Sequence, residues 1–328
     1  MKRITLVAAL LAVFGGTAYA QSNVVIYGIV DANINYEDNG GPAGSVVRLD
    51  SGGQSGSRLG FRGTEDLGGG LSASFLLENG FNVDTGTMAQ GGLLFGRQAW
   101  VGLNGGFGSV KMGRQNNAIF NTLIALDPFG VALAGDSSRL FTPYGYRQNN
   151  TLTYTTPNLG PVSAQVLYGF GETAGNTSAN RQIGLTATYA SGPVLLTLAH
   201  HKAENATGTD DAKTTIVGGT YDFAVAKAHL AYAVNKGVGA LDTRDAMVGV
   251  TVPFGKTTLL ASYIRKDDRA VANSDANQIA VGVSYELSKR TNFYSSYSRL
   301  SNDSLASYSA GAKGATDKLF NVGIRHKF

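Results

Sequence analysis

After residue 20 no stretch of this chain approaches eighteen consecutive apolar residues, yet hydrophobic side chains alternate with small or polar ones almost to the last position. That pattern removes the membrane-spanning helix as a solution and leaves strands with two chemically different faces. In residues 278–287, Ile279, Val281, Val283, Tyr285 and Leu287 share one face, and Gln278, Ala280, Gly282, Ser284 and Glu286 share the other. Val162, Ala164, Val166, Tyr168 and Phe170 oppose Ser163, Gln165, Leu167 and Gly169 in the same way. Ala228, Leu230, Tyr232 and Val234 oppose Lys227, His229, Ala231 and Asn235. Two architectures accept such strands: a soluble sandwich, and a closed barrel with lipid outside and water inside.

Connection lengths favour the barrel. Strands are expected near 24–36, 57–65, 71–79, 93–103, 108–115, 149–156, 162–170, 182–190, 194–202, 213–222, 226–235, 244–252, 257–266, 277–287, 291–300 and 318–328, sixteen in all. The odd connections are long and polar: 37–56, 80–92, 116–148, 171–181, 202–212, 236–243, 267–276 and 301–317. The even ones are tight and carry turn residues, among them Asp66-Leu67-Gly68-Gly69-Gly70, Asn104-Gly105-Gly106-Phe107, Ser191-Gly192-Pro193 and Pro253-Phe254-Gly255. Such strict alternation puts every long loop at one end and every short turn at the other. The expected fold is all-β, a 16-stranded antiparallel transmembrane barrel, large enough to leave an aqueous channel rather than a packed core.

The ends and the composition narrow the setting. Lys2 and Arg3, an apolar run from Ile4 to Phe14 and the small-x-small Ala18-Tyr19-Ala20 make 1–20 an expected cleaved secretory signal, leaving 21–328 as the barrel. Without Lys2 and Arg3 the 27 basic residues become 25 against 23 acidic ones, a net +2, too balanced for a nucleic-acid binder. Cysteine is absent, so there is no disulfide framework and no thiol chemistry. His200-His201 cannot chelate one ion, because neighbours on a strand point to opposite faces; with His229 and His326 distant in sequence, neither metal nor cofactor is expected. No Ser/His/Asp group or acidic pair suggests an enzyme. Phe320, Val322, Ile324, His326 and Phe328 alternate to the last residue. That terminal aromatic strand is the expected assembly signal for the barrel-assembly machinery, and it should pair with the strand beginning near Val24.

Several segments, in this order, resemble the general bacterial porin family in its β-proteobacterial form. They are Val25-Ile26-Tyr27-Gly28, Ser57-Arg58-Leu59-Gly60-Phe61-Arg62-Gly63-Thr64-Glu65-Asp66-Leu67-Gly68, Leu94-Phe95-Gly96-Arg97-Gln98-Ala99-Trp100-Val101-Gly102-Leu103, Gly108-Ser109-Val110-Lys111-Met112-Gly113-Arg114-Gln115 and Val322-Gly323-Ile324-Arg325-His326-Lys327-Phe328. The resemblance implies a homotrimer in the outer membrane, in contact with lipid and lipopolysaccharide, passing small ions and hydrophilic solutes. It also implies that the third external loop folds into the lumen.

That loop, 116–148, is far longer than ordinary connections of ~4–6 residues. It is also too apolar for a solvated flap, with Ile119, Phe120, Leu123, Ile124, Leu126, Phe129, Val131, Leu133, Leu140 and Phe141. A short helix over 121–126 is expected, ended by Asp127-Pro128-Phe129-Gly130. On the wall, a lipid-facing arginine at midplane costs ~2–4 kcal/mol, so Arg58 and Arg62 should point inward. Parity sends Arg147 and Lys111 the same way. Parity alone leaves Arg97 open, since Arg97 and Gln98 cannot both face the lumen; the cost of a lipid-facing arginine tips Arg97 inward. The resemblance supports Arg58, Arg97 and Arg147 as a basic cluster at the waist. Asp127 and Asp136 on the loop, with Glu78 on the wall, are the expected acidic counterpart. Three arginines against two aspartates within a Debye length of ~8 Å imply a modest anion preference. The alternative readings are a substrate-specific channel and a surface receptor or adhesin, which would work through the external loops.

Overall fold

The computed structural model describes residues 23–141 and 145–328; the stretch 1–20 lies outside the described residues. One antiparallel sheet takes up nearly the whole chain. Its segments are β1 (Asn23–Asp38), β2 (Val46–Ser51), β3 (Arg58–Gly68), β4 (Leu71–Gly80), β5 (Gln98–Gly105), β6 (Gly108–Asn116), β7 (Arg147–Thr155), β8 (Val162–Gly169) and β9 (Gln182–Ser191). They continue with β10 (Val194–Glu204), β11 (Asp211–Asp222), β12 (Lys227–Gly237), β13 (Leu241–Phe254), β14 (Thr257–Asp268), β15 (Ala276–Glu286), β16 (Thr291–Asn302) and β17 (Thr316–Lys327). Each pairs with its sequence neighbour, and β17 returns to β1, with Val30 opposite His326 and Ile34 opposite Val322. The ring of strands closes through β1, β3 and β17, which is the condition for strands to sit in lipid; the short β2 pairs with β1 alone.

The seventeen segments make sixteen staves, because β2 and β3 are two halves of one. Residues 32–37 of β1 pair with β2, and residues 23–29 pair with β3. This corrects the expectation that 37–56 is loop throughout. Val47 and Leu49 alternate outward, 67% and 60% exposed, but the run is only six residues long and glycines flank it. Residues 52–57 leave the ladder between the two halves and turn into the barrel. Gly52 N–H donates to Asp31 O at 2.8 Å, while the Asp31 carboxylate accepts Gln54 N–H at 3.1 Å and Ser55 N–H at 2.7 Å. The fourth expected strand also starts later, at Gln98 rather than 93, so Leu93 and Leu94 lie outside the ladder.

The barrel is inside-out relative to a soluble protein. Ile26, Leu196, Val217, Leu230, Val248, Ile279 and Val322 are exposed on its outer surface, whereas Asp31, Thr214, Asn235, Asp245 and Gln278 are buried within. The faces assigned by alternation in β8, β12 and β15 are the faces observed. His200 and His201 separate as strand geometry demands: His200 Nδ1 lies 2.9 Å from Thr215 Oγ1, and His201 Nε2 lies 3.0 Å from Gln182 Oε1 inside.

The barrel closes where Phe328 exchanges two backbone hydrogen bonds with Gly28, each at 3.1 Å, and lays its ring over that glycine. A Cβ at position 28 would meet this ring and also stand 2.6 Å from Arg58 O, so the site accepts no side chain.

Candidate functional site

The apolar core of this protein lies inside the barrel, under its third long loop. Helix α1 (Ala118–Leu126) begins three residues earlier than 121–126, because Asn117 caps it by accepting Phe120 N–H at 2.7 Å. It ends at Asp127-Pro128, where proline cannot continue a helix. A short second turn, α2 (Ser138–Phe141), follows. Ile119, Leu123, Leu126, Leu140 and Phe141 pack against Ile216, Met247, Ile264 and Leu300, apolar residues that face inward from β11, β13, β14 and β16. Glycines on the same wall let the loop come close. A Cβ at Gly218 would stand 2.5 Å from Leu126 Cδ1, one at Gly249 2.6 Å from Pro128 Cγ, and one at Gly282 2.9 Å from Phe129 Cε1.

Polar groups of the wall hold the loop's backbone. His229 Nδ1 lies 2.9 Å from Leu126 O at the helix end, which requires the Nδ1–H tautomer or the imidazolium. Lys266 Nζ donates to Leu140 O at 2.7 Å and to Asp245 Oδ1 at 2.8 Å. Ala134 N–H donates to Ser296 Oγ at 2.9 Å, Gln278 Nε2 donates to Gly135 O at 3.2 Å, and Arg139 is paired with Asp317. Leu133 N–H reaches Gly53 O at 2.8 Å, tying the loop to the inward turn of residues 52–57. The loop is thus bound along the inner wall of β9–β17.

Arg58, Arg97 and Arg147 lie at or just ahead of the starts of β3, β5 and β7, outside the wall to which the loop is bound. Arg58 opens β3, directly after the inward turn. Arg97 lies one residue ahead of β5, outside the alternating ladder, so it and Gln98 both reach the interior. This resolves the parity conflict between them. Arg147 opens β7, where a bulge opposite residues 113–115 and a positive φ of 56° at Asn150 break the simple alternation. Arg147 nonetheless joins Arg97 and Arg58 electrostatically, and its guanidinium lies 5.7 Å from the Phe120 ring centroid of α1. Arg62 lies 5.2 Å from the Tyr27 ring and Lys111 Nζ 4.3 Å from the Trp100 ring. Arg325 is a further member that sequence reasoning misses. It interacts electrostatically with Arg58, and its guanidinium donates to Asn292 and Ser55 at 3.0 Å each. The outward alternation of Phe320, Val322 and Ile324 is the signal that could have found it.

The three acidic residues are placed differently from one another. Glu78 sits among the arginines, 2.7 Å from Arg97 Nε and 3.8 Å from Arg58 Nη1, and accepts the Tyr27 hydroxyl at 2.8 Å. Asp127 is buried at the end of α1. Its carboxylate accepts Phe129 N–H at 2.8 Å and Val131 and Ser137 N–H at 3.0 Å. Burial pushes its carboxyl up to about 6, against the downward pull of these amides. Asp136 accepts Ser138 N–H at 2.7 Å at the start of α2, and burial raises its carboxyl too. Among the described residues, neither aspartate forms an ion pair with Arg58, Arg97 or Arg147. Among the described residues the wall cluster therefore carries Arg58, Arg97 and Arg147 around Glu78, with Arg325 beside them facing Asp31 and Glu286, and the loop's own acids are occupied by loop backbone.

Comparison with known proteins agrees with this geometry. The Gram-negative porin family model matches residues 7–305. Outer membrane porin protein 32 of Delftia acidovorans is 34% identical, and an outer membrane porin protein of Bordetella pertussis 32%, each aligned over the whole of both chains. The solved anion-selective porin from Comamonas acidovorans is 33% identical, with a TM-score of 0.84 over 94% of this chain and 100% of its own. OmpT of Vibrio cholerae in its trimer form shares the fold at 18% identity, with a TM-score of 0.72 over 94% of this chain and 99% of its own. A closed sixteen-stave barrel, lipid-facing outside and polar within, matched over its length by this family, makes the chain a member of the Gram-negative porin family, an outer-membrane channel for passive diffusion of small hydrophilic solutes.

Proposed function

We propose that the channel favours small anions over cations, and that the stretch 116–148 forms its constriction. The observation that carries this reading is the wall cluster of Arg58, Arg97 and Arg147 around Glu78, flanked by Arg325, which faces Asp31 and Glu286. Charged side chains lining a narrow pore set its selectivity. A solute passing between loop and wall meets a surplus of fixed positive charge within a Debye length of ~8 Å. Arg62 and Lys111 extend the basic surface along the same staves. Asp127 and Asp136 support the constriction by fixing the loop's shape. The anion-selective relative at 33% identity supports the same sign.

The assembly reading follows the family. The protein works as a homotrimer in contact with outer-membrane lipid and lipopolysaccharide, is exported after removal of 1–20, and offers its terminal strand with Phe328 to the barrel-assembly machinery. It acts as a channel and not as an enzyme.

The decisive experiment is the zero-current potential of single channels across a potassium chloride gradient. The expected result is a potential of the sign set by chloride, reduced in Arg58→Gln and in Arg147→Gln. Cation preference in the unmodified protein overturns the reading. Three equal conductance steps per insertion support the trimer.

A further inference from the structure

Below α1, at the far end of β7 from Arg147, a recess of about 220 Å³ opens between the helix and the inner wall of β7–β10. It contains no charged residue and no aromatic ring. Its polar surface comes from Asn121 on the helix and from Thr155, Gln165, Thr186, Thr188 and Thr197 on four successive strands. These side chains converge because each strand contributes its inward parity at this level; Thr197 is buried, and Thr188 is half-buried.

The hydrogen-bonding capacity of the recess is incompletely used. Gln165 Nε2 donates to Thr155 Oγ1 at 3.1 Å, and Thr188 and Thr197 share a long 3.4 Å hydroxyl contact. Asn121 Oδ1 accepts from Asn116 Nδ2 at 3.1 Å, which leaves the amide hydrogens of Asn121 for the recess. Thr122 beside it is buried with its hydroxyl lacking a protein partner. A hydroxyl is at once a donor and an acceptor, so a surface of threonines and amides suits a ligand that alternates donors and acceptors along its length. The boundary with the basic wall is sharp: Lys111 is the cross-strand partner of Thr153, where charged inward positions give way to threonines.

We propose that this recess is a binding subsite for small neutral polyhydroxy solutes, meaning polyols of about three to six carbons. An ion has no counter-charge here, and it finds the arginine wall instead. A long sugar chain would lack the aromatic platform on which its rings could stack. A short polyol exchanges its water hydrogen bonds for those of Asn121, Gln165 and the threonines and still leaves the recess open to the lumen. The channel then has two parallel surfaces, one for anions and one for neutral hydroxylated solutes; the proposal rests on the protein being a channel but not on its anion preference.

The test is single-channel current with sorbitol as the probe and a polyethylene glycol of equal hydrodynamic radius as the size control. The expected result is a saturable fall in current with sorbitol that the glycol does not reproduce. In the double variant Thr188→Val/Thr197→Val the half-blocking concentration should rise about five- to tenfold, the loss expected for two hydrogen bonds. Thr188→Ser/Thr197→Ser, which keeps both hydroxyls, should restore it. Arg58→Gln should shift the zero-current potential and leave the sorbitol response in place, which separates failure of this proposal from failure of the anion reading. A response equal for sorbitol and glycol, or unchanged in the double valine variant, overturns the subsite.

Discussion

Arg97 donates its Nε–H to Glu78 Oε1 at 2.7 Å while Tyr27 donates its hydroxyl to Oε2 at 2.8 Å, so the acid of the basic cluster is enclosed by its partners. Held this way, Glu78 fixes the direction of Arg97 and offsets part of the cluster's charge. Replacing Glu78 by Gln keeps the acceptor for Arg97 and removes the negative charge. The anion-to-cation permeability ratio should then rise about twofold, the scale of one charge removed from a screened lumen. Stability should fall by no more than about 2 kcal/mol, since hydrogen bonding survives in weakened form. Zero-current potentials before and after the substitution check the first expectation, and a ratio that falls would remove Glu78 from the cluster's balance.

Asp127 gives the loop a pH dependence of definite sign. Its carboxyl sits at about 6 in the folded protein against an ordinary 3.8, so its protonated form is the better fit to the folded state. A raised carboxyl contributes stability that is complete below the ordinary value and lost as the pH climbs through about 6. Relative to Asp127→Asn, the native protein should therefore lose about 2–3 kcal/mol of its advantage between pH 4 and pH 7.5. The asparagine must also present N–H to amides that now donate to a carboxylate, at a cost of about 1–3 kcal/mol. Denaturant midpoints of both proteins across this pH range measure the difference, and an advantage that grows with pH contradicts the assignment.

The barrel was legible because its signals repeat. Period-two alternation in residues 278–287 or 162–170 is set by the two solvents on either side of the sheet, and the long–short rhythm of connections orders the staves. The split second stave was not legible, because β2 is six residues long and Arg48 and Asp50 look like loop when read without their partner strand. Arg97 defeated parity because parity holds only inside a ladder, and its ladder begins one residue later. The docking of the third loop did leave a trace in the sequence. Ile216, Met247, Ile264 and Leu300 are apolar at inward positions, where a wet wall would carry Thr or Ser. The use of Asp127 by loop backbone depends on a local fold that no spacing rule describes.

Pro128 rests on Gly249, and that contact should control the width of the channel. A side chain at 249 would point into the lumen with its Cβ 2.6 Å from Pro128 Cγ, so the loop must lift from the wall to accept it. Gly249→Val should lower stability by about 1–3 kcal/mol, as overpacking does. It should also reduce single-channel conductance and increase open-channel current noise, because the displaced loop enters the open lumen. Gly106→Ala, in a tight turn where a Cβ would meet nothing within 4 Å, is the matched control and should change neither. Conductance in Gly249→Val equal to that of the control would mean that the loop is not seated on this glycine.

Lys266 provides the sharpest separation between anchoring and mere burial. Its ammonium is almost wholly enclosed, shared between Asp245 Oδ1 at 2.8 Å, Leu140 O at 2.7 Å and Thr243 Oγ1 at 3.3 Å. Asp245 is itself buried and also accepts from Asn235 Nδ2 at 2.6 Å. Lys266→Met leaves that carboxylate without its counter-charge and should destabilise the barrel by about 3–5 kcal/mol. Replacing both partners, Lys266→Met with Asp245→Leu, removes the two charges together and should recover most of that loss, since a buried pair is often no better than apolar packing. The hydrogen bond to Leu140 O remains absent in the double variant, so the loop should stay less firmly held even when the barrel is stable again. Denaturant midpoints should therefore return towards the native value while current noise stays elevated. If both return together, Lys266 serves only to neutralise Asp245; if neither returns, the pair is worth more than its desolvation, and the loop is fixed through its charge.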